Sequence, residues 1–173
     1  MQKHFNGILL LLVLVGLPFG SYLYLKSGFQ FRKNLIDELQ TTAALKDTLT
    51  QDGALVPTRG RCTVVNISGD TQNQISLYDQ FKDAKGFQLV GSIDSLTMSE
   101  YSDKRQKNIA AALSKNYYKL DSAKMASFQQ LYPNTQFLIL DTMGLVRKLY
   151  VGGKEDMKRI AGHITVLLPL YKE

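Results

Sequence analysis

A chain of 173 residues has room for one ordinary domain plus a short appendage, and two full domains are excluded. With 45% hydrophobic, 21% charged and 10% aromatic residues, and only 4 Pro, it is not disordered, collagenous or a coiled-coil rod as a whole. The formal net charge of +6 is spread along the chain, which suits a surface near anionic lipid or an acidic partner; nucleic-acid binding would need a basic stripe with interleaved aromatics, and none is present.

From Gly7 to Leu25 the chain reads GILLLLVLVGLPFGSYLYL, an uncharged run close to the ~20 residues that cross a ~30 Å hydrocarbon core. A cleaved signal peptide has a similar outline, with Lys3 ahead of the apolar stretch and Pro18 and Gly20 behind it. No small-x-small cleavage pair follows, because Pro18 stands two before Gly20 and Phe19 two before Ser21. Residues 1–26 are therefore expected to be an uncleaved single-pass transmembrane helix, with the lipid bilayer as partner through residues 7–25. Counting positive flanks (Lys3 against Lys26, Arg32 and Lys33) leans toward a cytoplasmic domain. The very short head before a first apolar segment decides otherwise: it stays inside, and the domain is expected on the periplasmic side of the cytoplasmic membrane, with Tyr22 and Tyr24 at the exit interface.

Residues 27–52 read as an amphipathic helix or linker, with Phe31, Leu35, Leu39 and Ala43 at i, i+4 spacing in a helix over Gly28–Thr50. TQDGALVPTRGR, residues 50–61, is turn-rich and opens a compact domain over 53–173.

Cys62–Ser68 (CTVVNIS) has the β-branched content and glycine borders of a buried strand. Ile75, Leu77, Tyr78 and Phe81 make a helical stripe ending near Gly86, and Phe87–Ile93 makes a second strand. A helix capped by Ser102 or Asp103 is predicted to about Asn116, with Ile109, Ala112, Leu113 and Tyr117 on one face. Another follows Asp121, with Met125, Phe128 and Leu131 inward and Pro133 as its stop. Gln136–Leu140 and Val146–Val151 flank Asp141-Thr-Met-Gly144 as a hairpin. A last helix carries Glu155 and Asp156 in its first turn and a Met157, Ile160, Ile164, Leu167 stripe, and Pro169 ends it. A β-α-β unit with a right-handed crossover, then a hairpin and a covering helix, is the thioredoxin-like α/β pattern. One sheet should hold the Cys62–Ser68 strand and the hairpin, with Val64, Ile67, Phe137, Ile139, Leu149 and Val151 buried or half-buried.

The ending QFLILDTMGLVRKLYVGGKEDMKRIAGHITVLL, together with CTVVNIS and FQLVGSIDS, resembles the SCO/SenC proteins, membrane-anchored thioredoxin-fold copper chaperones for cytochrome c oxidase. The likeness spans roughly Gly53 to Leu168, with the anchor in the same place ahead of it. Members of that family bind copper through a Cys-x-x-x-Cys pair after the first core strand and a histidine in a loop before the hairpin. Here Gln72 and Ser76 stand where the thiolates would be, and LYPNTQFLIL offers no histidine. Amide and neutral hydroxyl are poor ligands for soft copper. The resemblance thus implies a degenerate member: a non-catalytic accessory or assembly component of a membrane respiratory complex such as cytochrome c oxidase, meeting that complex by protein–protein contact.

The remaining chemistry-bearing residues read as structural. Cys62, between Arg61 and an apolar strand, is expected to pack as a small hydrophobe; the alternative is a copper chaperone or thiol-disulfide reductase using that thiol. His4 lies in the N-terminal head, and His163 is expected to fill a groove or sit on the surface of the last helix. Met98, Met125, Met143 and Met157 lack Met-x-x-Met spacing. Asp37-Glu38 and Glu155-Asp156 are neighbours that point in different directions and cannot act as an acid–base pair. Gly69–Gln74, at a helix start, could hold an anion weakly. No catalytic, cofactor or metal residue is assigned.

Overall fold

The computed structural model describes residues 2–40, 42–91 and 116–168, with backbone alone for 2–12 and Thr71. The chain divides into two compact units, Met1–Asp37 and Glu38–Glu173.

The first unit is helical. Helix α1 runs over Gln2–Glu38 and contains Pro18. Its described side chains are apolar and open to solvent at Val13, Leu14, Val15, Leu17, Phe19, Tyr22, Leu23, Leu25, Phe29 and Phe31. Among the described residues no helix is long and apolar enough to cross a membrane, and the first six residues of the Gly7–Leu25 run lie outside the described side chains. The expected helix to Thr50 stops at Glu38 instead. The reason is tertiary: the Ala43 N–H donates to Val146 O at 3.0 Å and the Val146 N–H to Ala43 O at 2.8 Å, so the segment beyond Leu39 is drawn out as a strand-like bridge.

The second unit begins with a miniature hairpin, β1 (Thr50–Gln51) and β2 (Ala54–Leu55), joined by Asp52 (φ 50°) and Gly53 (φ 78°). Two successive positive φ angles are those of the Asp-Gly turn whose twist suits a two-residue hairpin. The main sheet follows: β3 (Cys62–Asn66), β4 (Phe87–Gly91), β5 (Tyr117–Lys119), β6 (Phe137–Leu140) and β7 (Val146–Tyr150), in the order β5-β4-β3-β6-β7. β3–β4 and β4–β5 are parallel, β3–β6 and β6–β7 antiparallel. Helix α2 (Thr71–Phe81) links β3 to β4, α3 (Ser122–Leu131) links β5 to β6, and α4 (Lys154–Leu167) follows the hairpin. This is the thioredoxin-like α/β arrangement expected from the element order.

Strand alternation divides the core into two layers. Cys62, Val64, Phe87, Leu89, Phe137 and Ile139 pack with Leu77, Tyr78 and Phe81 of α2 and Ile160 and Ile164 of α4. Val65, Val90, Leu138 and Leu140 pack with Met125 and Phe128 of α3 and with Leu49 and Val56 of the leading segment. Burying each large side chain contributes about 1.5–3 kcal/mol, and β3, at the centre, is buried at all five positions.

Two expectations need correction. Tyr117 opens strand β5 rather than closing a helix, because it pairs with Leu89 of β4; the helix expected before it, with Met98 upstream, lies outside the described residues. Val64, Ile67, Phe137 and Ile139 are fully buried as expected, whereas Leu149 is 45% and Val151 68% exposed. β7 is the outer strand of the sheet, and its outward residues meet solvent. Of the two places expected for His163, the surface of the last helix and a groove within the fold, the buried one is observed.

Candidate functional site

The loop from β3 into α2 is held by a polar network inside the domain. The buried Asn66 amide donates from Nδ2 to Gln74 Oε1 at 2.7 Å and to Asp70 O at 2.9 Å, while its Oδ1 accepts from the Ser68 N–H at 3.1 Å. Asp70 caps α2, its Oδ1 accepting from the Asn73 N–H at 3.2 Å and its Oδ2 from Asn73 Nδ2 at 2.7 Å. Gln74 lies so close beneath Gly91 that a Cβ there would stand 2.7 Å from its Nε2. Two asparagines, an aspartate and a glutamine thereby fix where α2 starts and which face it turns outward.

That outward face carries Gln72 and Ser76. Both are exposed, one helical turn apart, and they line one open groove of about 760 Å³ with Asn73 and Asp79 and, from the start of α4, Lys154 and Met157. The two positions singled out from the sequence are thus brought together on one concave surface at the carboxyl end of β3. An amide and a hydroxyl there can exchange hydrogen bonds with an extended peptide. Neither is a strong nucleophile by itself, and among the described residues no imidazole or thiol lines the groove. Gly69–Gln74 is organised by its own side-chain hydrogen bonds, with Asp70 occupying the helix N-terminus that an anion would need.

Cys62 is elsewhere, buried as the first residue of β3. Its N–H donates to Gly86 O at 2.7 Å, and burial, helped by the charge of Asp141, pushes the thiol up to about 12. Such a thiol is neither a nucleophile at neutral pH nor within reach of a partner. Met125 is in the core, Met157 half-buried on the groove, and Met143 exposed at the hairpin tip. Asp141 holds that tip: Oδ1 accepts from the Met143 and Leu145 N–H groups, and Oδ2 from Arg147 Nε at 2.7 Å.

A second cluster was not legible as such in the sequence. Glu38 pairs with Lys148, lies 4.0 Å from an Arg159 nitrogen, and faces His163 Nε2 at 3.6 Å. His163 Nδ1 lies 2.5 Å from the Tyr150 hydroxyl. The hydrogen bond to Lys148 holds the Glu38 carboxyl below its ordinary value, and burial raises the Tyr150 phenol well above its own, with Glu38 adding to the effect. The only signal in the sequence was His163 sitting between Ile160 and Ile164 on the inward stripe. Among the described residues no group of three or more His, Cys, Asp or Glu could hold a metal ion.

No protein-family model matches the sequence, and no curated protein matches it either. Solved structures similar to the chain include a candidate protein disulfide isomerase from Bacteroides thetaiotaomicron, at 17% identity over 72% of this chain and 87% of that one, with a TM-score of 0.47. An SCO1/SenC family lipoprotein from Bacillus anthracis strain Ames is similar at 19% identity over 75% and 98%, TM-score 0.44. A candidate thioredoxin from Neisseria meningitidis is similar at 20% identity over 73% and 87%, TM-score 0.42.

Proposed function

We infer that this chain is a non-catalytic, thioredoxin-like domain of the SCO type, held by residues 7–25 in the cytoplasmic membrane with its domain in the periplasm. It acts there as an accessory or assembly component of a membrane respiratory complex such as cytochrome c oxidase. The observation that carries the reading is the groove at the carboxyl end of β3. Hydrogen bonds among Asn66, Asp70 and Gln74 fix its floor, and it carries Gln72 and Ser76 where the resemblance to the SCO proteins would put two thiolates. What survives of such a site is its shape and hydrogen-bonding face, which suit binding a segment of another protein.

The anchor is supported by the apolar side chains that α1 leaves open from Val13 to Phe31, a density that water disfavours and lipid accepts. N-terminal sequencing of the mature protein tests it: a chain beginning near Ser21 or later removes the anchor.

The competing reading, a copper carrier or thiol reductase using Cys62, has its only thiol buried and pushed up to about 12. Titrating the purified chain with Cu(I) against a strong chelator separates the two. The accessory role expects no retained copper, and one tightly held equivalent would transfer the function to copper chemistry.

A further inference from the structure

At the opposite end of β3 from Gln72 and Ser76, before the amino ends of the parallel strands β3 and β4, four cations gather round a second groove of about 510 Å³. Arg59 and Arg61 come from the segment leading into β3, Lys82 and Lys85 from the turn after α2, and the one carboxylate in the lining is Asp83. Elsewhere the domain pairs its partly buried cations: Lys124 with Asp47 at 2.9 Å, Arg147 with Asp141 at 2.7 Å, and Lys148 with Glu38. Among the described residues Arg59, Arg61 and Lys85 have no such partner, although Arg61 is itself half-buried, and Lys82 has only an exposed contact with Asp79 at 3.5 Å.

The backbone beneath these side chains is fixed. The Gly60 N–H donates to Thr142 O and the Cys62 N–H to Gly86 O, both at 2.7 Å, and Gly60 and Gly86 each adopt φ +79° where the chain turns into its strand. Lys82 and Lys85 have a local role, since they lie just past the carboxyl end of α2 and complement its dipole. Arg59 and Arg61 lie on a different segment and have none, so two guanidiniums aimed at a rigid concavity are left to explain.

We propose that the Arg59–Arg61–Lys82–Lys85 groove binds a soluble small molecule carrying two or more linked phosphates. Guanidinium forks match phosphate oxygens in bidentate fashion while lysines act as point charges. The volume is that of a small-molecule site, which runs to about 300–1,000 Å³. With Asp83 in the lining and Asp79 on Lys82, the four cations keep an excess of two positive charges, led by the two unpaired guanidiniums, and a diphosphate concentrates matching negative charge in that space better than isolated side-chain carboxylates do. A flat anionic bilayer fits less well, because the cations line a concavity and Asp79 and Asp83 stand exposed beside it. The site is separate from the Gln72–Ser76 groove, and its existence does not depend on the function inferred for that groove.

The test uses the full chain in an uncharged detergent, titrated calorimetrically with inorganic pyrophosphate. Saturable binding near one equivalent is expected, weakening as salt rises. Arg59→Gln/Arg61→Gln should weaken it tenfold or more, Arg59→Lys/Arg61→Lys by less, and Lys154→Gln/Lys158→Gln in the other groove should leave it unchanged. Thermal melts of all three variants should match the parent, because the altered side chains reach solvent. The proposal is overturned if pyrophosphate shows no saturable binding, if the Arg59→Gln/Arg61→Gln variant binds as tightly as the parent, or if only phosphatidylglycerol vesicles engage these residues.

Discussion

Tyr150 and His163 meet inside the domain, the phenol oxygen 2.5 Å from the imidazole Nδ1, and both side chains are closed to solvent. The contact ties the last strand of the sheet to the last helix. Tyr150→Phe keeps the ring's packing and removes the hydrogen bond, leaving a buried polar nitrogen without it. The expected cost is about 1–3 kcal/mol of stability, read by denaturant unfolding. His163→Leu in the Tyr150→Phe background should recover part of that loss, since two apolar groups replace a broken polar pair. A Tyr150→Phe variant as stable as the parent would remove this hydrogen bond from the account.

Glu38 supplies a pH dependence with a definite sign. Its folded value lies below the ordinary 4.5, chiefly through the hydrogen bond from Lys148, so the ionised form is favoured by folding. The stability it contributes is fully present above about 4.5 and is lost as pH falls through the lower folded value. Glu38→Gln should therefore be less stable than the parent at neutral pH, with the gap closing as pH falls below the ordinary carboxyl value. Unfolding curves across that range check it, and a gap that stays constant or widens in acid would contradict the assignment.

Gly91 is required by a neighbour rather than by its own backbone. An added Cβ would stand 2.7 Å from Gln74 Nε2 and 2.9 Å from Oε1, in a core that also holds Asn66. Gly91→Ala should cost about 1–3 kcal/mol as overpacking. In a double-mutant cycle with Gln74→Ala the loss should be strongly non-additive, because the smaller residue clears the space. Additive losses would place the strain elsewhere.

How much of this could be seen beforehand follows from where the decisive contacts lie. The order from Cys62 onward was legible because its strands are β-branched runs between glycines and its helices carry clear apolar stripes. The Asp52-Gly53 turn was visible too, though not that residues 50–55 would pair across it. Tyr117–Lys119 was hidden: three residues beside a helical pattern carry no period, and only pairing with β4 makes them a strand. The end of α1 at Glu38 was hidden for the same reason, its cause being a bridge to Val146 more than 100 residues away. In the candidate site, Gln72 and Ser76 were located by resemblance, and the helical spacing put them on one face. The Glu38, Tyr150 and His163 cluster joins the end of α1 to the last strand and helix, more than 100 residues further along the chain, and no local pattern could have assembled it.

The central claim, a binding role without thiol or copper chemistry, is tested most directly by gentle detergent extraction of the parent and of Cys62→Ser, with identification of what co-purifies with each. Cys62→Ser buries a hydroxyl in place of a thiol, so a stability loss of about 1–3 kcal/mol is expected and must be measured alongside. The account predicts that both forms, once folded, bring down the same respiratory-complex subunits in the same proportion. A folded Cys62→Ser protein that loses those subunits while the parent retains them, or a parent that brings down none, would contradict it.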